Sequence, residues 1–381
     1  MNARIVDADA HVTEPPNLWE RYIDPEYRHL AMRLTKGDDG LEYLSVNGQK
    51  PVGLLLQGGT LGRICSLGED LKPLITPGLV SYEEGIVQGA VDPHERIRAL
   101  DEDGIDVAVL YPSLGLSWQA ECRRADVAEA YCRAYNDWLF DFCRPYPERL
   151  IPVAMISMIE VEGAVAELAR VGGLGARGMM LSANSVNGRP YGDVYFDPFW
   201  AEAQGQGIPI GIHVVGDPHF PGSHLYPTPG APAYPPTPWW FTNMMAPGNV
   251  IIAFTTLFEG GVFDRFPRLK VAVLESGSGW IAWWLERMDH TYEQFHFTTP
   301  MRRMPSEYFQ DQCWISMDPD EETALPMIER LRADRFVWAS DYPHSEGHSD
   351  PVRTLKQTLS PLPESDQAKV LGENAVRLYN L

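Results

Sequence analysis

The chain has 381 residues, 44% hydrophobic and 22% charged, enough apolar material for one large barrel or two ordinary domains. Lys and Arg number 31 against 52 Asp and Glu, a formal net charge of −21 that repels polyanions and argues against nucleic acid or an anionic membrane as partner. No apolar run reaches the roughly 18 residues of a membrane span, no signal-peptide pattern opens the chain, and the five cysteines show no C-x-x-C spacing. A cytoplasmic protein with a small-molecule substrate and no disulfide framework is therefore expected.

In chain order, the first predicted strand covers Ile5–Val12. Residues 30–55 read as a small β-meander, with turn signals at Asp39-Gly40 and Asn47-Gly48 around a strand over Leu41–Val46. Further strands are predicted at Val107–Tyr111, Leu150–Met155, Gly178–Leu181, Ile208–Val214, Leu269–Leu274, Trp314–Met317 and Phe336–Ser340. Helical patterns lie between several of them, at Ala120–Cys143, Glu160–Arg170, Asp197–Gln204, Trp280–His296 and Asp320–Leu331. The third of these opens on an apparent Asp cap followed by Pro. Residues 216–240 hold eight prolines with His219 and His224, and read as a structured loop, a lid or an oligomer contact. Strand–helix alternation implies parallel βα units. Eight of them in one chain predict a single α/β domain over residues 1–381, a (β/α)8 TIM barrel with the meander inserted after strand 1 and the Pro-rich loop after strand 5. The doubly wound alternative lacks a G-x-G-x-x-G after its first strand.

Side chains alternate along a strand, so Ile5, Asp7, Asp9 and His11 are predicted to share one face, with Val6, Ala8 and Ala10 on the other. Asp9 and His11 then lie about 7 Å apart at the strand's C-terminal end. The pair reads either as two ligands to one divalent ion or as a hydrogen-bonded Asp–His pair at a solvated strand end. By the same parity, His213 closes the fifth strand, Glu275 the sixth and Asp341 the eighth. These five metal-type side chains all fall at the C-terminal rim, where barrel enzymes place their sites. His344 follows just beyond, as a further ligand, a substrate contact or an ordinary loop histidine. Imidazole and carboxylate suit Zn²⁺ first, with Mn²⁺ or Fe²⁺ as alternatives, and an open coordination position holds a water of lowered pKa. Asp341 is the expected general base for that water.

The opening D-A-D-A-H-V-T-E-P, G-I-H at 211–213, G-V-F-D-R-F-P-R-L-K-V-A-V-L-E-S-G-S-G-W and the closing W-A-S-D-Y-P-H resemble the amidohydrolase-related branch of the amidohydrolase superfamily, which includes aminocarboxymuconate-semialdehyde decarboxylase-like and γ-resorcylate decarboxylase-like enzymes. The resemblance covers nearly the whole chain. It implies a metal-dependent barrel with the ion held by Asp9, His11, His213 and Asp341, and homo-oligomers, of which a dimer is the simplest. Two departures matter. The fourth strand, Ala176–Leu181, offers no lysine for a carbamylated bridge, and Glu275 stands where the characterised decarboxylases usually carry a histidine. A carboxylate there binds a second metal together with His344 or acts as the base itself. Either option favours hydrolysis, with a metal-activated water attacking a carbonyl carbon of an amide, an ester or thioester, or a β-keto compound. Catalytic roles then fall to Asp341, Glu275 and His344. The alternative is nonoxidative decarboxylation of an aromatic or unsaturated acid, with Asp341 protonating the ring carbon. A ligand-binding barrel without turnover is the third reading.

The remaining candidates have blander expectations. Glu14 reads as a helix cap or surface residue before a ligand-orienting one. Trp280, Trp283 and Trp284 recur at helical spacing and are assigned to packing, ahead of an aromatic substrate pocket shared with Trp239 and Trp240. His290 and His296 read as solvated or interface residues, and none of Cys65, Cys122, Cys132, Cys143 and Cys313 has a base placed beside it by sequence.

Overall fold

The computed structural model describes residues 4–381 except 39, 52–60, 63, 66, 68–79, 186 and 216–238, with the backbone alone at 239–242. Eight parallel strands form one sheet in the order β1 (Val6–His11), β4 (Val107–Tyr111), β5 (Leu150–Met155), β6 (Gly178–Ser182), β7 (Ile210–His213), β8 (Val271–Leu274), β9 (Cys313–Met317) and β10 (Phe336–Trp338). This is the expected (β/α)8 barrel. Every residue of these strands is buried, which is why they read as near-continuous apolar runs. The meander is also present, as β2 (Arg33–Lys36) paired antiparallel with β3 (Glu42–Ser45), followed by a turn closed by Val46 and Gln49. Asp39 and most of the Pro-rich stretch, with His219 and His224, lie outside the described residues.

The seam between the first and last strands is built mostly from polar groups. Asp7 accepts from the Ser340 N–H at 3.1 Å and the Ser340 hydroxyl at 2.5 Å, and the Asp341 N–H donates to Asp9 O at 3.3 Å. The His11 N–H reaches Tyr342 O at 2.7 Å. Strict alternation along β1 does not hold. Its register against β4 runs Asp7↔Ala108 and then Ala10↔Leu110, so two β1 residues oppose one. Such a bulge re-aims side chains, and Asp7 is committed to the seam instead of joining Asp9 and His11 at the rim. Burial pushes its carboxyl up to about 6 despite those hydrogen bonds.

Below the rim the barrel is filled by aromatic rings. The Tyr111 hydroxyl lies 3.0 Å from that of Tyr379, which donates to Ala8 O at 3.1 Å. Position 211 has to be glycine for this arrangement, because a Cβ there would come within 2.5 Å of the Tyr111 hydroxyl and 2.9 Å of Leu274.

Several helix expectations need correction. The helix Trp239–Glu259 contains Pro247 and begins inside the stretch read as loop. Pro93–Asp103, capped by Asp92, was not foreseen. Asp197 lies within the first turn of Asp197–Gln206 and caps nothing; its carboxylate pairs with Arg265 at 2.7 Å. On Ile281–Phe295, Trp283 is 60% exposed, so it is not a packing residue. No helix among the described residues is long and apolar enough to cross a membrane.

Candidate metal centre

The strand ends bring Asp9, His11, His213, Glu275 and Asp341 together, and His344 joins them from the turn beyond β10. His11 Nε2 lies 3.6 Å from Asp9 Oδ1 and 3.9 Å from Asp341 Oδ1. His213 Nε2 lies 3.4 Å from Asp9 Oδ2 and 3.2 Å from Glu275 Oε2. Asp9, His11 and His213 are fully buried, and Asp341 is 5% exposed. The Glu275 side chain keeps 17% exposure, so solvent reaches the cluster on that side.

Backbone carbonyls orient both histidines. His11 Nδ1 is 2.9 Å from Pro112 O, and His213 Nδ1 is 2.7 Å from Val214 O. A carbonyl only accepts, so each Nδ1 carries the proton and each Nε2 presents a lone pair to the cluster. Those lone pairs face carboxylate oxygens, acceptor against acceptor. Among the described residues Asp9 Oδ1 and Oδ2, His11 Nε2, His213 Nε2, Glu275 Oε2 and Asp341 Oδ1 are all buried without a hydrogen-bond partner. Leaving one such group unsatisfied costs about 1–3 kcal/mol, and six around one point call for a cation between them. The residues present therefore fit a divalent metal. Asp9, His11 and His213 bring three ligand atoms within 4.8 Å of one another, and so do His11, Glu275 and His344.

Both acids at the strand tips adopt the left-handed backbone region, with φ of 47° at Glu275 and 55° at Asp341. Non-glycine residues pay for that conformation, and it concentrates at functional sites. Burial, then Asp341, Glu346 and Asp9, push the Glu275 carboxyl well above the ordinary carboxylate range. Asp341 is raised in the same direction by burial and then Asp9.

His344 lies on the turn after Asp341, its N–H bonded to Asp341 O at 2.7 Å and its ring stacked 3.9 Å from that of His11. Its Nε2 is 3.0 Å from Ser113 Oγ, whose own proton goes to Val12 O at 2.7 Å. Ser113 thus accepts from Nε2–H, and Nδ1 carries the imidazole lone pair. Sequence reasoning did not find Ser113. It stands two residues past the end of β4, a rim position that parity alone does not reach.

Glu14 is a cap, and the surface reading fails because it is fully buried. Its Oε2 accepts from the N–H groups of Ser113 at 3.3 Å and Leu114 at 2.9 Å, and its Oε1 from Gly115 at 2.9 Å. Burial still pushes the carboxyl up to about 7. Because both oxygens are taken by N–H donors, Glu14→Gln turns an NH₂ toward a donor. We expect that variant to lose about 2 kcal/mol of stability, read as a lower urea midpoint; an unchanged midpoint refutes the capping role.

Two expectations for other residues hold. His290 and His296 lie on exposed positions, and the five cysteines are buried free thiols. Cys65 touches Ser113 Oγ at 3.5 Å, but burial pushes its thiol up to about 12, which leaves it unreactive. Nothing is described of the Trp239 and Trp240 side chains.

A family model described as amidohydrolase matches residues 6–381. Among curated proteins, γ-resorcylate decarboxylase of Rhizobium sp. (strain MTP-10005) is 26% identical over 296 residues, covering 75% of this chain and 86% of its own. The 2-amino-3-carboxymuconate-6-semialdehyde decarboxylase of Dictyostelium discoideum is 26% identical over 301 residues, covering 76% of this chain and 77% of its own. Among solved structures, an amidohydrolase from Mycobacterium avium subsp. paratuberculosis K-10 superposes with a TM-score of 0.80 at 21% identity, covering 100% of both chains. A 5-carboxyvanillate decarboxylase from Novosphingobium aromaticivorans, solved with bound manganese, gives 0.69 at 18% identity and covers 100% of this chain and 98% of its own. At such identities these structures speak to the fold.

Proposed function

Because the chain belongs to the amidohydrolase family, matched from residue 6 to residue 381, we propose that it is a metal-dependent, nonoxidative decarboxylase of an aromatic or unsaturated carboxylic acid. The observation that carries this reading is the similarity to two decarboxylases of such acids over three-quarters of the chain, together with a rim cluster of unpartnered ligand atoms. The hydrolytic reading drawn from Glu275 is the weaker one, since the relatives favour its alternative.

In this reading Asp9, His11, His213 and Asp341 hold the divalent ion, with Glu275 beside them. When bound, the ion supplies the positive charge that draws a substrate carboxylate into a site otherwise lined by acids. The chain's own groups manage the proton. The substrate arrives as a carboxylate, and the carbon that bears it must gain a proton as the bond to carbon dioxide breaks. Asp341, or Glu275 across the cluster, carries a carboxyl proton toward that carbon. The C–C bonding pair returns to the ring or diene, carbon dioxide departs, and the carboxylate left behind regains a proton from solvent. His344, held by Ser113, faces the same space and orients the substrate.

The test is carbon dioxide release from hydroxybenzoates and carboxymuconate-type dienoic acids by protein loaded with Mn²⁺ or Zn²⁺. Release that stops on chelation is the expected result. Hydrolysis of esters or amides with no carbon dioxide from any acid in the panel would overturn the proposal in favour of hydrolysis.

A further inference from the structure

Arg96 is fully buried on a helix whose other charged residues are exposed or half-buried. An arginine inside a protein is costly unless something specific holds it. Here it touches the strand of Asp9 and His11 and the turn that follows Asp341. One Nη donates to the backbone carbonyl of His11 on β1, and the guanidinium lies 4.4 Å from the centroid of the Tyr342 ring, the residue after Asp341. The helix is fixed at its start by Asp92, whose Oδ1 accepts from the His94 and Glu95 N–H groups at 2.8 and 3.0 Å. Gly89, just upstream, has no side chain because a Cβ would come within 2.5 Å of the Tyr342 hydroxyl. Among the described residues Arg96 Nε and Nη1 have no hydrogen-bond partner, and a small cavity of about 10 Å³ adjoins Arg96, Asp7, Asp103, Ser340 and Tyr342.

We infer that Arg96 is a positioning residue for the metal centre, clamping the strand of Asp9 and His11 to the turn of Asp341 so that the donor atoms converge. The inference rests on the metal reading of the rim cluster. Charge and position make opposite predictions for it. A buried positive charge whose guanidinium bonds the His11 carbonyl opposes a cation nearby by like-charge repulsion. By charge alone, Arg96→Met would bind metal more tightly. By position, it binds metal more weakly, because the His11 carbonyl and the Tyr342 ring lose the group that holds them together.

The experiment titrates metal-free protein with Co²⁺, following the visible absorption band and competing with a chromophoric chelator. Arg96→Met is expected to raise the Kd about 10–100-fold, the range seen when a residue supporting metal ligands is removed. The band should change shape, and thermal unfolding of the metal-free protein should be unchanged or raised, since a buried charge has gone. Arg96→Lys, which keeps a donor but loses the planar stack, is expected to weaken binding by less. Should Arg96→Met not fold, Tyr342→Leu removes the ring and leaves the guanidinium, and it is expected to weaken Co²⁺ binding likewise. Parental affinity and band shape in the folded variants, or tighter binding in Arg96→Met, would overturn the inference. No saturable Co²⁺ band in the parent protein would overturn the metal reading, and this inference with it.

Discussion

Asp341→Asn is expected to lower turnover by about 10³-fold while the protein remains folded. Asn accepts the left-handed backbone more readily than most residues, so the φ of 55° at this position survives the change. The turn it supports, from Asp341 O to the His344 N–H, survives with it. What is lost is a negative oxygen 3.9 Å from His11 Nε2 and a carboxyl able to deliver a proton. Metal content should fall as well, because Asp341 Oδ1 is one of the unpartnered ligand atoms. The assignment fails if Asp341→Asn keeps its metal and loses less than tenfold in carbon dioxide release.

Glu275→Gln should separate two effects of one carboxyl. Turnover is expected to fall about 10²-fold at saturating metal, as for the loss of a proton-handling group. Stability without metal should move the other way. Burial and the neighbouring Asp341, Glu346 and Asp9 raise the Glu275 carboxyl above its ordinary value of 4.5, so the folded protein binds a proton that the unfolded chain has released. Stability contributed by that proton is present below pH of about 4.5 and is lost as pH rises toward the folded value, with a slope of at most about 1.4 kcal/mol per pH unit. Gln carries no such proton. The variant's thermal midpoint in chelator should therefore exceed the parent's at pH 8 and approach it at pH 4.5. Parallel pH profiles for the two proteins would refute the buried-carboxyl account, and unchanged turnover would remove Glu275 from the chemistry.

The barrel and the convergence of most candidate ligands were legible because two local rules were enough to find them. Buried parallel strands make unbroken apolar runs such as Val107–Tyr111 and Leu150–Met155, whose ends match the structure residue for residue. A polar residue that follows such a run must stand at the rim, which located His213, Glu275 and Asp341. The rule weakened wherever the chain left regular geometry. Asp7 was assigned to the acidic face of β1, but the bulge beyond it and the reach of Ser340, 333 positions away, gave it a different partner. Arg96 carried no signal of its own, on a helix the sequence reading did not contain. Its burial depends on His11, 85 residues distant, and on Tyr342, neither of which any local pattern connects to it. The helix Trp239–Glu259 was hidden by its own interior Pro247 and by the prolines before it.

The polar seam also has a consequence for how the protein is made. Its two sides are 333 positions apart, and at about 5–20 residues per second the last strand leaves the ribosome roughly 15–70 s after the first. Through that interval β1 presents an unpaired edge to the cell, and the acids along it, Asp7 and Asp9, disfavour pairing with another copy of the same edge. In the proposed metal-bound form the donor set would be complete only after Asp341 arrives, so tight metal loading would come late and mark a barrel that has closed.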